Sequence, residues 1–346
     1  STPKPSSAAS DVYKRQLQIG CEIRYDTAAT RLIQDKNKKI TGLQISSPDG
    51  IETINARSIV LACGGFESNP EMRARYLGHG WDLARVRGTK HNMGDGIKMA
   101  IDIGARAYGN WSGCHSVGWD ISAPEYGDYE VLDNFQKHSY PWGIMVNTDG
   151  NRFVDEGEDL RNHTYVKFGR EIMKQPNRTA IQIFDQKTIP LLRDEYRIRQ
   201  VTKVSGNTIA ELAQELEINA SALTKTIDEF NAACKPGKFN PSILDGVATT
   251  GLNPNKTNWA LPIDEPPFEA FITTTGVTFT FGGLKVDEKG SVLDNNDRSI
   301  GGLFAAGELV GGLFYENYPG GSGLMAGAVY GKIAGENAAS YAVGNT

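Results

Sequence analysis

The chain has 346 residues, with 36 Lys and Arg against 41 Asp and Glu, for a formal net charge of −5. That length can bury more than one core. The mild acidity without a basic block argues against a nucleic-acid partner, and no run of about 18 apolar residues exists to span a membrane.

In chain order, residues 1–16 are rich in Ser, Ala and Pro without an apolar period, and read as a non-native or disordered leader rather than a signal peptide. Leu17 to Phe66 is β-rich. The runs CEIRYDTAATRLIQD and KITGLQISSPDGIETINA alternate apolar and polar residues around turns at Asp35-Lys36-Asn37 and Pro48-Asp49-Gly50. The apolar run Ile59 to Ala62 predicts a short buried strand entering Gly64-Gly65. Asn69 with Pro70 starts a helix ending near Gly78. Asp95 is expected to cap a further helix with Ile97, Ala100 and Ile101 on its apolar face and Gly104 as its stop.

The composition changes from about residue 105 to 262. The run YPWGIMVNTDGNRFVDE carries a strand and a turn at Asp149-Gly150. A helix follows from about Asn162 to Gln175, closed by Pro176, and AIQIFD is a strand. Two helices come next. Thr208 to Ile218 has Ile209, Leu212 and Leu216 on one face, and Ala220 to Cys234 has Leu223, Ile227 and Phe230. The histidines His79, His91, His115, His138 and His163 all fall in one window, with Arg87, Lys90, Lys137, Arg152 and Arg161. A buried carboxylate must be paired and hydrogen-bonded, so such groups suit a pocket for a polyanion. Each histidine taken alone also fits a surface or cap position. No pair has the short spacing of a zinc site. Cys21, Cys63, Cys114 and Cys234 form no CxxC pair and read as reduced cytosolic thiols.

In the tail, a strand from Leu303 to Ala306 ends at Gly307-Glu308, and after a loop of glycines and aromatics Gly320-Gly321-Ser322-Gly323 opens a helix of small residues. Glycines leave no Cβ in the way. Unpaired N–H groups at a helix start favour negative charge. Together they describe backbone closing on a flat, polar, partly anionic ligand. The spacing alone also fits a glycine-rich turn feeding a core helix.

This tail resembles the C-terminal end of flavoproteins of the fumarate reductase/succinate dehydrogenase family, which also holds 3-ketosteroid dehydrogenases, urocanate reductases and tricarballylate dehydrogenases. The likeness runs from about Leu17 to the end and is nearest to tricarballylate dehydrogenase from Gly65 to Asp185. It implies an α/β chain (α+β overall): an incomplete Rossmann-like FAD-binding domain at residues 17–104 and 263–346, with an inserted α+β capping domain at 105–262. FAD is the implied cofactor, held by Ala62, Gly65, Gly94, Asp95, Phe279, Gly307, Glu308, Gly323 and Leu324. Glu308 would bond the ribityl chain, and the helix after the double glycine would point at the flavin pyrimidine carbonyl. The family opens with a strand and a G-x-G-x-x-G turn. None occurs here, so the chain is expected to lack roughly the first third of its cofactor domain.

The resemblance also implies substrate contacts at His115, Thr278, Tyr140 and Glu156, with Arg161 and Tyr318 handling the proton. It is partial. Arg161 sits one position late. GVTFTFGG offers Thr278 and Phe279 where a histidine would stand, and Tyr318 replaces an arginine. Lys137 and Tyr140 replace the relay acid and arginine. Tyrosine at NYPGG resembles ketosteroid and tricarballylate dehydrogenases, which oxidise their substrates. The implied reaction is oxidation of a CH–CH bond in a small polycarboxylate, tricarballylate to cis-aconitate. The alternatives are a fumarate reductase-like or 3-ketosteroid dehydrogenase-like enzyme, and a truncated, inactive flavoprotein. Electrons would pass to a membrane-bound iron–sulfur or haem protein. Localisation would be cytoplasmic, peripheral to the membrane through that partner. No metal site and no CxxCH haem attachment is read.

Overall fold

The computed structural model describes residues 14–344. Of the expected leader, residues 1–13 lie outside the described residues, and residues 14–18 form a helical turn. The alternating segment folds as an antiparallel meander of β1 (Ala28–Gln34), β2 (Ile40–Ser47) and β3 (Gly50–Asn55). The Asp35 carboxylate closes the first turn by accepting the N–H groups of Asn37 and Lys39 at 2.8 and 3.0 Å. Leu32 and Ile40 carry the meander into the core.

β4 (Ile59–Leu61) is less buried than expected. Its one ladder among the described residues is with β12 (Ser299–Ala305), which carries β11 (Ser291–Leu293) on its far edge. Paired on one side only, β4 leaves Val60 37% exposed. α1 (Pro70–Met72) starts as its sequence predicts, with the Asn69 side chain accepting the Met72 N–H at 3.1 Å. α2 (Asp95–Asp102) corrects the expected cap. Gly94, at φ 81°, is the capping residue, and Asp95 stands exposed in the first turn. Ile97 and Ala100 are buried there, but Met99 takes the place expected for Ile101, which is 38% exposed. The core lies on the Gly96–Met99 side of that stripe.

The central sheet is built on β10 (Phe268–Leu284). It pairs in parallel with β5 (Arg85–Val86) and antiparallel with β6 (Ala107–Asp120), β8 (Ala180–Phe184) and β9 (Lys203–Gly206); β7 (Ile144–Asn147) pairs with β8. α3 (Arg161–Met173) crosses this sheet closely, with the Thr275 hydroxyl donating to the Gly169 carbonyl at 2.7 Å. α4 (Ile209–Glu215) and α5 (Ala220–Ala233) follow their predicted faces and bury Leu212, Leu223, Ile227 and Phe230. Their caps are Thr208 and Asn219.

One core joins Leu32, Ile97, Leu303 and Leu309, residues far apart in sequence. A second joins Val117, Trp119, Val166 and Ile172 under α3. The last helix, α6 (Ser322–Val343), buries only Ala334 and Ala338, although most of its residues are small or apolar. Among the described residues no helix is long and apolar enough to cross a membrane. The chain is a mixed α/β fold.

Candidate functional site

Two groups of side chains meet along β10 at Thr278, Phe279 and Thr280. The first is a backbone cradle. β4 delivers Gly65 so close to β10 that a Cβ there would strike Thr280 Oγ1 and Glu308 Oε1. Only glycine fits. The Gly65 carbonyl accepts the Gly94 N–H at 3.0 Å, which sets the start of α2 beside it. Glu308 is held by the Thr280 N–H at 2.7 Å and the Thr280 hydroxyl at 3.2 Å. Burial, and then the neighbouring Glu67 carboxylate, push the Glu308 carboxyl well above the usual carboxylate range. Glu67 is raised by burial as well; Asn92 donates to its Oε1, and its Oε2 is buried without a partner.

The second group is aromatic and histidine-rich. β6 places His115 opposite Phe279 on β10. His115 Nε2 lies 3.1 Å from the Tyr165 hydroxyl, and its ring meets the Tyr318 ring edge-on at 4.7 Å between centroids. Phe279 packs on Tyr318 at 5.6 Å and on Phe314 at 5.5 Å. His138 flanks Tyr165 at 5.2 Å, and its Nδ1 lies 3.4 Å from an Arg161 nitrogen. His115 Nδ1, His138 Nε2 and Thr278 Oγ1 are buried polar atoms without a partner. Such orphans cost free energy unless something bonds them. Burial first, and Arg87 second, push His115 down to about 3 and His138 well below its usual value. Both rings are therefore neutral. Arg161, the first residue of α3, is the cation left at the site without a carboxylate among the described residues.

Tyr318 joins the two groups. Its hydroxyl accepts the Gly323 N–H at 2.8 Å, in the first turn of α6. Beside it Leu324 and Met325 are 80% and 61% exposed, and Ala62 and Gly307 also face open space.

His115, Phe279 and Tyr318 thus come together, with Arg161 reached through His138 and Tyr165, as do Gly65, Gly94 and Glu308; Thr278 is next to Phe279 in the chain, with its hydroxyl buried and unpartnered. Two expected contacts do not. Glu156 is bound on both oxygens by Arg152, at 3.1 and 2.6 Å, and also accepts the Met145 N–H at 2.7 Å, so it braces the fold. The Tyr140 hydroxyl is paired with Thr164 at 2.6 Å and its ring stacks on Phe168 at 4.0 Å. Asp95 is exposed, one residue past the cradle. The other expected cations are mostly committed or turned outward. Lys137 pairs with Asp120 at 3.4 Å, both fully buried, and His163 with Asp159 at 3.2 Å. Tyr165, Thr280, Glu67 and His138 also stand at the site, beyond the residues expected there. Nothing in their sequence neighbourhoods marks them; pairing across β6, β10 and α3 does.

The cradle fits a flat ligand carrying polar and anionic groups. Thr280 fixes Glu308 beside Gly65, Ala62 and Gly307 border open space, and the first turn of α6 has only the Tyr318 hydroxyl on its Gly323 N–H, with no cap from Gly321. Comparison with known proteins agrees. Probable fumarate reductase Ifc3 of Shewanella frigidimarina is 30% identical over 335 residues, covering 95% of this chain and 52% of that protein. NADH:acrylate oxidoreductase of Vibrio harveyi is 31% identical, over 97% of this chain and 32% of its own length. The solved open conformation of a flavocytochrome c3 fumarate reductase is 26% identical and superposes with a TM-score of 0.75, over 96% of this chain and 55% of that one. For 3-ketosteroid delta1-dehydrogenase from Sterolibacterium denitrificans the values are 26%, 0.73, 95% and 62%. The chain spans about half or less of the length of these curated relatives. The family described as FAD binding domain matches residues 8–324, and the chain belongs to that family, whose cofactor is FAD.

Proposed function

We propose that the chain is the cofactor-holding and substrate-holding part of an FAD-dependent oxidoreductase acting on a carbon–carbon bond next to a carboxylate or carbonyl. The observation that carries this is Tyr318, which touches the α6 helix start at Gly323 and the His115 ring at once. One side chain links the FAD cradle to the anion anchor. In this reading residues 17–104 and 263–346 hold FAD, and residues 105–262 cap the substrate.

Bound FAD would exchange a hydride with the carbon β to the carboxylate. Arg161 would hold the carboxylate through its forked donors. Thr278 and the neutral His115 and His138 would supply hydrogen bonds to it or to a carbonyl oxygen. In the oxidising direction, both C–H bonds break and a C=C bond forms. The hydride would leave to the flavin, and the α proton would go to Tyr318 as its phenolate or to Arg161 as its neutral guanidine, each having first released its own proton to solvent.

The finer reading is tricarballylate oxidised to cis-aconitate. Three carboxylates would need three cationic partners, and the aromatic packing around Arg161 favours a substrate anchored by one. A ketosteroid-like or fumarate reductase-like substrate is the second reading, supported by the names of the relatives. A membrane-bound iron–sulfur or haem partner would exchange electrons with the flavin and hold the chain at the cytoplasmic face of the membrane; the likeness to a flavocytochrome c3 fumarate reductase supports such coupling.

The test is to load the chain with FAD and follow the oxidised-flavin absorbance without oxygen. Tricarballylate, succinate and a 3-ketosteroid are each offered to the oxidised protein, and fumarate to the reduced one. Bleaching or re-oxidation by one of them, slowed by Tyr318→Phe, is expected. A chain that stays colourless in excess FAD sinks the proposal.

A further inference from the structure

Arg87 also borders a second cavity. The Val86 N–H donates to the Glu125 carbonyl at 2.8 Å, and the Gly127 N–H to the Gly88 carbonyl at 2.7 Å. These bonds lay the loop of residues 125–133 along residues 87–91 and leave a cleft of about 460 Å³ between them. Trp119, Tyr126, Tyr129 and Leu132 supply aromatic and apolar walls, Lys90 supplies positive charge, and His91 supplies ring nitrogens for hydrogen bonding. The acids in the lining are already engaged. Asp133 is held by the Arg87 fork, with one contact at 2.6 Å. Asp128 accepts the Glu130 and Val131 N–H groups at 2.7 and 2.8 Å. Among the described residues neither Lys90 nor His91 has a carboxylate partner.

Two features of the loop serve no core. Tyr129 is 93% exposed and Leu132 54% exposed. Leu132 also has φ +56°, held by its N–H on the Asp128 carbonyl at 2.8 Å. A bulky side chain in the left-handed region is strained, and such residues gather where ligands are clamped. The volume and the apolar walls with few charges are those of a small-molecule site. The cleft adjoins the reaction site. Trp119 stands four residues from His115 on β6, so both share one face of the strand. The Arg87 guanidinium lies 5.9 Å over the Trp119 ring, and the Arg87 N–H donates to the carbonyl of Val277, next to Thr278.

We infer that this cleft takes a flat, apolar ring bearing an anionic group, the ring between Tyr126, Tyr129 and Leu132 and the anion toward Lys90 and His91. The inference goes beyond the proposed function, since this ligand carries its own anion and is not held by Arg161.

Calorimetric titration of the chain with 3-phenylpropanoate, 3-phenylpropanamide and succinate tests it without turnover. The phenyl acid is expected to bind, the neutral amide about tenfold more weakly, and succinate not to displace it. Lys90→Glu and Tyr129→Ala should each weaken the phenyl acid about tenfold. Both side chains are exposed, and unchanged thermal melting by circular dichroism confirms that the variants fold. Arg161→Ala should leave this affinity within about twofold. No binding, or full affinity in both cleft variants, overturns the inference. If Arg161→Ala alone abolishes binding, the ring acid sits at the reaction site; the cleft inference then falls while the oxidoreductase reading stands.

Discussion

At the scale of single residues, the site is defined by what is left unpaired. Arg161 begins α3, at the end of a helix where a cation meets the positive pole of the macrodipole. Burial, and then the neighbouring Arg193, also hold its pKa below the usual value. An anion bound there would relieve both costs. Arg161→Ala is expected to cut kcat/KM of the FAD-loaded protein by about a hundredfold, and Arg161→Lys to restore only part of it, since lysine lacks the fork. Equal rates for all three forms, read from flavin bleaching, would remove Arg161 from the site. Gly65 is constrained by space instead. In Gly65→Ala the new Cβ must displace Thr280 or Glu308, at a stability cost of about 2 kcal/mol and with loss of FAD. The ratio of flavin to protein absorbance, with a urea melt, checks both.

At the scale of elements, β10 and α6 decide the architecture in opposite ways. β10 is buried along most of its length and pairs with β5, β6, β8 and β9, which span residues 85–206. α6 is rich in small and apolar residues, with Lys332, Glu336 and Asn337 among them, and mostly uncovered. A Cβ at Gly331, inside α6, meets nothing within 4 Å. Gly331→Ala should therefore stabilise the chain by about 1 kcal/mol through helix propensity. A loss in denaturant midpoint would mean that another surface packs on the α6 backbone in solution.

At the scale of the whole molecule, protonation links the site to stability. His115 and His138 stay neutral in the fold, whereas in the unfolded chain they take protons near pH 6.5. Stability from them is complete above that pH and is lost as pH falls toward the folded value, about 3 for His115. At pH 5 the buried His115 alone accounts for a loss of about 2 kcal/mol. Glu67 and Glu308 act in reverse, because their raised values favour the fold below the ordinary carboxylate pKa and lose that advantage as pH rises through the folded pKa. Denaturant midpoints are expected to fall between pH 6.5 and 5, and His115→Gln to remove about 2 kcal/mol of that fall. An unchanged fall would mean that His115 is charged in the fold. The sequence by itself determined the meander and the faces of α4 and α5, which follow from local periodicity and turn chemistry. Gly65 and Glu308 entered through the family resemblance, and their close approach is a tertiary contact. Only the tertiary structure decided which polar groups are free. Glu156 and Lys137 find partners, while His115, His138 and Thr278 keep orphaned atoms. Pairing depends on neighbours across strands and helices, and no spacing along the chain encodes it.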